Sequence, residues 1–521
     1  MEWIVLGFKK GMYQLVSKTP KKDETSGLLP KGSYLTVDLD EDSKVILRVD
    51  DSAQHEPYSP SPMIIDMDLS PMYQDQKAVN IVEAYPVKYL TNRTDGLIDP
   101  VPAQKKAKRS SQDEVDAALE VKENDNGPIV FPATIHAGQN QLLLDDELNI
   151  ITTRLPEEMF YHQIQICGKT GSGKTVASKY LAQHFVEEVE GAVLAINVKD
   201  WDFLQMDQAS VVKSPRVADE WKQLKESARG IENTTIYYPA TIDINSLQDR
   251  VTHEITEKIT LGVKAIEPES LAGLLQGISG PGEQQLPDIF RHWINNEYES
   301  DNIFDDFVAY FSSAQENRVF PTENVRGRED TMTMHRGTFD NVLRNLQSAT
   351  EFFDNEDSIM LDYDDILVEG KLSVINVAGN RGIQFGSILL RHLLKRIVEA
   401  KSSLLSPVPI LVIIDEVHQF YHTDSSKEAL DELDVICRTG RSQKIGVIFS
   451  SQNQDDLPRG LSSVINTKIF FKTDGISSRV FNIPTNEIQS LDKGFAVCNI
   501  HDMTQLKIVK FPLSFSGVFE Q

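Results

Sequence analysis

The chain has 521 residues, 40% hydrophobic and 25% charged, the balance of a globular protein with room for about three domains. Against 78 Asp plus Glu stand only 52 Lys plus Arg, a formal charge of −26, which excludes a protein that coats nucleic acid with its whole outer surface. If DNA is a partner, it must be held in a confined basic zone, such as the pore of a ring.

The N-terminus, Met1-Glu2-Trp3-Ile4, has neither a basic start nor an apolar core of signal-peptide type, and no run approaches ~18 apolar residues. Cys167, Cys437 and Cys498 form neither a disulfide framework nor a metal spacing and suit a reducing compartment. The expectation is a soluble, cytoplasmic protein with no membrane partner. Residues 1–150 read as short strands between polar turns. Leu35, Val37 and Leu39 alternate within Ser33–Leu39, Val45, Leu47 and Val49 repeat the pattern, and Val79, Ile81 and Val82 begin another strand. Such strands suit a small β-barrel, although the pattern alone fits a sandwich too. Stretches near 51–62 and 95–128 carry no core pattern. The basic run Lys105-Lys106-Ala107-Lys108-Arg109 in the second reads as a solvated loop rather than a DNA contact.

From about 150 the pattern becomes alternating strand and helix, the mark of a parallel sheet covered by helices. Ile164-Gln165-Ile166-Cys167 is a short apolar strand, followed by Gly168-Lys169-Thr170-Gly171-Ser172-Gly173-Lys174-Thr175 and by a helix over 176–186 with Val176, Leu181 and Phe185 for burial. That octet satisfies G-x-x-x-x-G-K-[ST]. Its backbone N–H groups, from Gly168 through Val176, curl around phosphates at a helix N-terminus, Lys174 reaches the β- and γ-phosphates, and the Thr175 hydroxyl ligates Mg²⁺. The chain therefore reads as binding a nucleoside triphosphate. Ala192–Ile196 is the next buried strand. Between roughly 245 and 355 strands give way to helical stripes (Leu247, Val251, Ile255, Ile259; then Phe339, Val342, Leu343, Leu346), read as a helical insertion. The sheet resumes at Leu372–Val377, with a helix through Leu389, Leu390, Leu393, Leu394 and Ile397.

Ile410-Leu411-Val412-Ile413-Ile414 ends in Asp415-Glu416. A buried parallel strand has little use for two carboxylates at its C-terminal end unless that end opens on a site. Asp415 would hold Mg²⁺, directly or through water, and Glu416 would orient and help deprotonate the attacking water. His418 reads as a structural neighbour. A helix through Leu430, Leu433 and Ile436 leads to Arg438-Thr439-Gly440-Arg441-Ser442, and the strand Ile445–Phe449 leads to Ser450-Ser451-Gln452. Gln452 is placed as a polar sensor of γ-phosphate or water, and Arg441 as a finger that projects into a neighbouring subunit's site. No Asn-Lys-x-Asp run marks a GTPase, and the Asp-Glu pair suits water activation better than a small-molecule kinase.

These residues together resemble the HerA family, within the HerA/FtsK group of RecA-like motor ATPases. The resemblance rests on Gly168–Thr175, Ile413–His418, Arg438–Arg441 and the run Ser450-Ser451-Gln452-Asn453-Gln454-Asp455-Asp456-Leu457-Pro458, where Gln454 replaces a family Pro. It covers about 150–500 and implies an α/β RecA-like P-loop domain over 151–521, with the helical insertion at about 245–355. Residues 1–150 are similar to the family's small HAS barrel. The resemblance further implies a homo-hexamer that hydrolyses ATP with Mg²⁺ at subunit interfaces and moves double-stranded DNA through its channel. It also implies an effector partner: a NurA-type nuclease, or another effector of an anti-phage system such as a sirtuin-like NAD-consuming enzyme. The alternative is an ATPase scaffold that assembles and regulates the effector, with DNA movement secondary. Lys213, Arg216, Arg326, Arg328 and Arg336 are candidates for a pore. Three departures bear on the hydrolysis rate: Asn197-Val198-Lys199-Asp200 where the family has an acidic residue, His162 where it has Arg, and Asn376-Val377-Ala378-Gly379 where an Asp-led run is common.

Overall fold

Short alternating strands at the N-terminus close on themselves. In the computed structural model they are β1 (Trp3–Lys9), β2 (Met12–Lys18), β3 (Tyr34–Asp38), β4 (Ser43–His55), β5 (Val79–Thr91) and β6 (Lys106–Arg109), joined as a closed barrel in the order β1-β2-β5-β4-β3-β6. The structure describes residues 2–18, 29–40, 42–55, 79–91, 100–136, 139–199, 202–242, 251–275, 277–378, 382–418, 433, 436, 438, 440–457, 459–474, 481 and 483–519. Trp3, Val5, Leu15, Leu35, Val37, Val45, Leu47, Val49 and Val82 fill the barrel, because side chains alternate across each strand and one set faces inward. The basic run is not a loop. Lys106–Arg109 is the closing strand, antiparallel to both β1 and β3, with Ala107 buried between exposed Lys106 and half-buried Lys108. The expected patternless stretch also contains α1 (Gln112–Leu119), whose Val115, Ala118 and Leu119 are buried. Glu114 ties α1 to the barrel by accepting from the Thr36 hydroxyl at 2.8 Å and Lys44 Nζ at 3.0 Å.

Contacts divide the chain into two units. The first comprises Met1–Met159, Gly168–Gly173 and Thr467–Pro512; the second comprises Phe160–Cys167, Lys174–Asn466 and Leu513–Gln521. Beyond the barrel, the first unit contains β7 (Ile129–His136), β8 (Gln139–Leu142) and β9 (Thr153–Arg154).

The second unit is built on β10 (Ile164–Cys167), β11 (Ala192–Asn197), β12 (Thr234–Pro239), β13 (Thr256–Thr260), β16 (Ile359–Met360), β17 (Leu372–Asn376), β18 (Ile410–Ile414) and β19 (Ile445–Ser451), with the hairpin β14 (Val319–Glu323) and β15 (Glu329–Thr333) outside the sheet. The sheet strands are parallel in the order β16-β13-β12-β17-β11-β18-β19-β10. Every residue of β11, β18 and β19 is buried, which is why their sequences run apolar without alternation. The helix α2 (Lys174–Glu187) buries Leu181 and Phe185 but leaves Val176 only half-buried. The insertion contains α3 (Gly280–His292), α4 (Phe304–Ser313) and α5 (Arg336–Ala349), and α6 (Gly382–Ser402) follows β17. Phe290, Phe307, Phe311, Phe320 and Phe339 in the insertion join one core with Leu389, Leu393 and the sheet.

The insertion is not purely helical. Ile255 ends a 3₁₀ turn and Ile259 lies in β13, so the stripe expected as helix is a strand, and Leu247 lies outside the described residues. A spacing of four fits both periods: it is about one helical turn and also two strand repeats. The later stripe is helical, with Phe339, Val342 and Leu346 buried on α5. The first unit is completed by β20 (Thr467–Phe470), β21 (Phe495–Asn499) and β22 (Ile508–Lys510), antiparallel in that order, with β22 pairing β7 and β7 pairing β8 and β9. No helix among the described residues is long and apolar enough to cross a membrane. Cys167 and Cys498 are buried free thiols, and Cys437 lies outside the described residues.

Candidate functional site

Parallel strands all deliver their C-terminal ends to one edge, and in the second unit the charged side chains gather there. β18 is apolar through Ile414, so its first polar residues, Asp415 and Glu416, fall just beyond the sheet, at 1% and 0% exposure. Glu416 holds φ at +47°, a left-handed backbone that costs a residue with a Cβ roughly 1 kcal/mol or more and persists only where neighbours fix it. Burial raises the pKa of Asp415, opposed by Lys199 and the nearby Ser450 hydroxyl and reinforced by Asp202 and Glu416. Its Oδ2 is buried with no hydrogen-bond partner among the described residues. A buried carboxylate oxygen left over in this way is a ready ligand for a hard divalent cation.

Three side chains converge on Glu416. Gln452 Nε2 donates to both carboxylate oxygens, at 3.3 and 3.2 Å; Lys199 Nζ forms an ion pair with Oε1; and His418 Nδ1 lies 3.3 Å from Oε2. Gln452 is positioned by its backbone: its N–H donates to Asp456 Oδ2 at 3.1 Å, and its carbonyl accepts from the Cys167 thiol at 3.4 Å. Asp456 also accepts from Asn453 N–H at 2.8 Å, so one carboxylate folds the turn after β19. Lys174, the first residue of α2, is 4% exposed. Burial lowers its pKa; Glu416 and Asp415 act against this, and the charge of Lys199 adds to it. Burial acts downward on Lys199 as well, but its bond to Glu416 and the charge of Asp415 prevail and raise it.

The two asparagine departures meet each other. Asn197 and Asn376 end the adjacent strands β11 and β17, and Asn197 Nδ2 donates to Asn376 Oδ1 at 3.1 Å. Acids at both positions would oppose two like charges in a buried place, whereas two amides satisfy one another. His162 pairs its Nδ1 with Asn466 Nδ2 at 3.0 Å.

The boundary between the units passes through the phosphate-loop motif itself. In the first unit, Gly168–Gly173 leans on the C-terminal strands: Lys169 N–H donates to the Lys472 carbonyl at 2.8 Å, Gly494 N–H donates to the Ser172 carbonyl at 3.0 Å, and Lys169 is ion-paired with Asp474. The Ser172 hydroxyl closes the loop on the Lys169 carbonyl at 2.7 Å. Gly171 and Gly173 hold φ of +79° and +116°, which explains their glycine identity. Thr170 and Gly171 are exposed, and Thr175 and Val176, in the second unit, are half-buried in the first turn of α2.

The structure therefore brings Lys174, Asp415, Glu416 and Gln452 together in the second unit. It does not bring Arg441 to them. Arg441 is exposed in the 3₁₀ turn Gly440–Gln443, which precedes β19, whereas Gln452 follows that strand. Arg326 and Arg328 are exposed in the turn between β14 and β15; Lys213, Arg216 and Arg336 are exposed elsewhere. Asp200, Gly379, Leu430, Thr439 and Pro458 lie outside the described residues. Lys199 and Gly494 were not singled out from sequence as site residues. The signal for Lys199 was its place two residues past a buried strand, on the same edge as Asp415.

Residues 142–397 match the family model described as Helicase HerA, central domain. Among solved structures the chain is similar to VirB4 of Thermoanaerobacter pseudethanolicus, at 11% identity and a TM-score of 0.45, covering 75% of this chain and 97% of that one. It is also similar to the bacterial conjugative coupling protein TrwBdeltaN70 in complex with sulphate, at 13% identity and a TM-score of 0.42, covering 69% and 87%. The plasmid coupling protein TrwB in complex with ADP and Mg²⁺ matches at 13% identity and a TM-score of 0.38, covering 70% and 88%. A search of curated proteins finds no match.

Proposed function

We propose that the chain, whose residues 142–397 match the HerA central-domain model, is an ATP hydrolase of the HerA type working as a homo-hexameric ring. The observation that carries the reading is the cluster at the sheet edge: a buried lysine at the end of the P-loop motif facing two buried carboxylates, one of which is held by a glutamine. Lys174 supplies positive charge in a desolvated place, where it acts on phosphate oxygens more strongly than in water. Asp415 Oδ2 and the Thr175 hydroxyl are the residues that fit Mg²⁺, which when bound neutralises phosphate charge. Glu416 accepts a proton from the attacking water, and Gln452 fixes the carboxylate's orientation.

The ring's task is to move double-stranded DNA for a nuclease or other effector, with basic residues confined to the channel because the chain as a whole is acidic. The second reading, an ATP-dependent scaffold for the effector with nucleotide state as its switch, is favoured by the Lys199–Glu416 pair, which occupies the base while no triphosphate is bound. Turnover of ATP by the purified chain, with and without double-stranded DNA, tests both. The expected result is hydrolysis that Lys174→Ala abolishes and that DNA raises several-fold, while Glu416→Gln retains ATP without turning it over. Rings that hydrolyse ATP identically with and without DNA would exclude the motor and leave the scaffold. No hydrolysis under any condition would exclude both.

A further inference from the structure

The Asn197 side chain brackets the turn that carries Lys199. Its Nδ2 donates to the Lys199 carbonyl at 2.5 Å, and its Oδ1 accepts from Phe203 N–H at 3.3 Å. The Lys199 carbonyl is thereby held, and its four-carbon side chain reaches from there to Glu416. That side chain is 35% exposed, whereas the carboxylate it meets is 1% exposed. The ammonium is therefore the solvent-accessible partner of the pair, the one that an arriving anion can reach. Asp415 and Asp202 lie within electrostatic reach of Lys199, and Lys199 in turn lies within reach of Lys174, the cation that the P-loop motif uses for phosphate.

A glutamate with a lysine on one of its oxygens is a poor acceptor for a water proton, because the ion pair stabilises the carboxylate it would have to protonate. Gln452, which also holds Glu416, is neutral and does not suppress it in this way. A terminal phosphate carries more negative charge than one carboxylate and offers several acceptor oxygens, so it competes for the same ammonium.

We propose that Lys199 is a nucleotide-sensing switch on Glu416: without a triphosphate its ammonium pairs with that carboxylate, and a γ-phosphate takes the ammonium and frees the base. The inference rests on the ATPase reading and adds to it the step that tells ATP from ADP. ADP lacks the competing group, so it leaves the pair intact. Lys199 acts on the water only through Glu416 and is in that respect a positioning residue. The exchange moves one cation between two anions and makes or breaks no covalent bond.

The test is isothermal titration calorimetry of the full-length chain with ATPγS and with ADP, both with Mg²⁺. Glu416→Gln removes the competing carboxylate, so ATPγS binds about tenfold more tightly than to wild type while ADP changes less than about threefold. Lys199→Ala weakens ATPγS about ten- to a hundredfold with the same small change for ADP, and Lys199→Arg keeps part of the preference. In the double variant the gain from Glu416→Gln disappears, because there is no ammonium left to release. Should Glu416→Gln leave the ratio of ATPγS to ADP affinity at the wild-type value, the switch is overturned, whether or not Lys199→Ala folds. The same holds for a folded Lys199→Ala that keeps the wild-type ratio. A wild-type chain that binds neither nucleotide overturns the ATPase reading and the switch with it, and so is told apart from failure of the switch alone.

Discussion

Residue by residue, the glycines of the P-loop motif differ in what they permit. A Cβ on Gly173 would lie 3.1 Å from Gly494 N and 3.2 Å from its Cα, with φ at +116°, so alanine meets both a tight backbone contact and an unfavourable conformation. On Gly171, with φ +79°, a Cβ meets nothing within 4 Å, and only conformational strain of about 1 kcal/mol remains. Gly173→Ala is accordingly expected to weaken ATPγS binding at least about tenfold and to lower the melting temperature by several degrees, with Gly171→Ala well behind on both readouts. Equal effects would mean that the Gly494 contact is not what fixes the loop. At this scale the placement of Asp415 and Glu416 at the sheet edge was legible because two acids directly follow an unbroken apolar strand, which has few structural explanations. Lys199 was not, since a lysine just past a strand ordinarily sits in water and its partner lies 217 positions away in sequence.

Among the elements, the parallel strands were legible and the barrel's closing strand was not. β18 and β11 are buried on both faces and carry unbroken apolar runs. β6 leaves Lys106 exposed and Lys108 and Arg109 half-buried and contributes only Ala107 to the core, so its sequence records charge rather than pairing. The hairpin β14–β15 failed for the same reason, with most of Glu329–Thr333 exposed. The contact of α2 with the C-terminal segment was also silent in sequence. Lys179 on α2 is 6% exposed and donates to the Gly517 carbonyl at 2.6 Å, and burial pushes its pKa from 10.5 down to about 8. The folded-state value lies below the unfolded one, so the charged form penalises folding fully below about pH 8, and the penalty fades as pH rises towards 10.5. Wild type should therefore gain stability relative to Lys179→Met across that window, by at most about 3 kcal/mol. Chemical denaturation of both proteins at pH 7.5, 9 and 10.5 reads the difference. A constant gap would mean that Lys179 is charged in the fold at little cost, through its neighbours Asp202 and Asp415.

For the whole molecule, the decisive fact is the length of β19. Arg441 precedes it and Gln452 follows it, and its seven residues at ~3.3 Å each separate the two by roughly 20 Å or more. A guanidinium on a ~7 Å side chain does not span that distance, so a part for Arg441 in hydrolysis requires a second copy of the chain, whose site it would complete. Complementation separates the cases. Lys174→Ala chains carry an intact Arg441, and Arg441→Ala chains carry an intact Lys174, Asp415 and Glu416. If the chain assembles as proposed, then in an equimolar mixture an Arg441→Ala chain beside a Lys174→Ala neighbour regains a complete site, and random assembly makes about a quarter of the interfaces complete. Activity should then rise above that of either parent, towards about a quarter of wild type if sites fire independently and to a smaller value if they fire in sequence. A residue that served its own chain's site would give no rise at any mixing ratio, because no chain in the mixture holds both Lys174 and Arg441. Size-exclusion chromatography of the mixture, run beside the assay, checks that both variants enter the same assembly, so that absence of activity reports on Arg441 and not on a failure to mix.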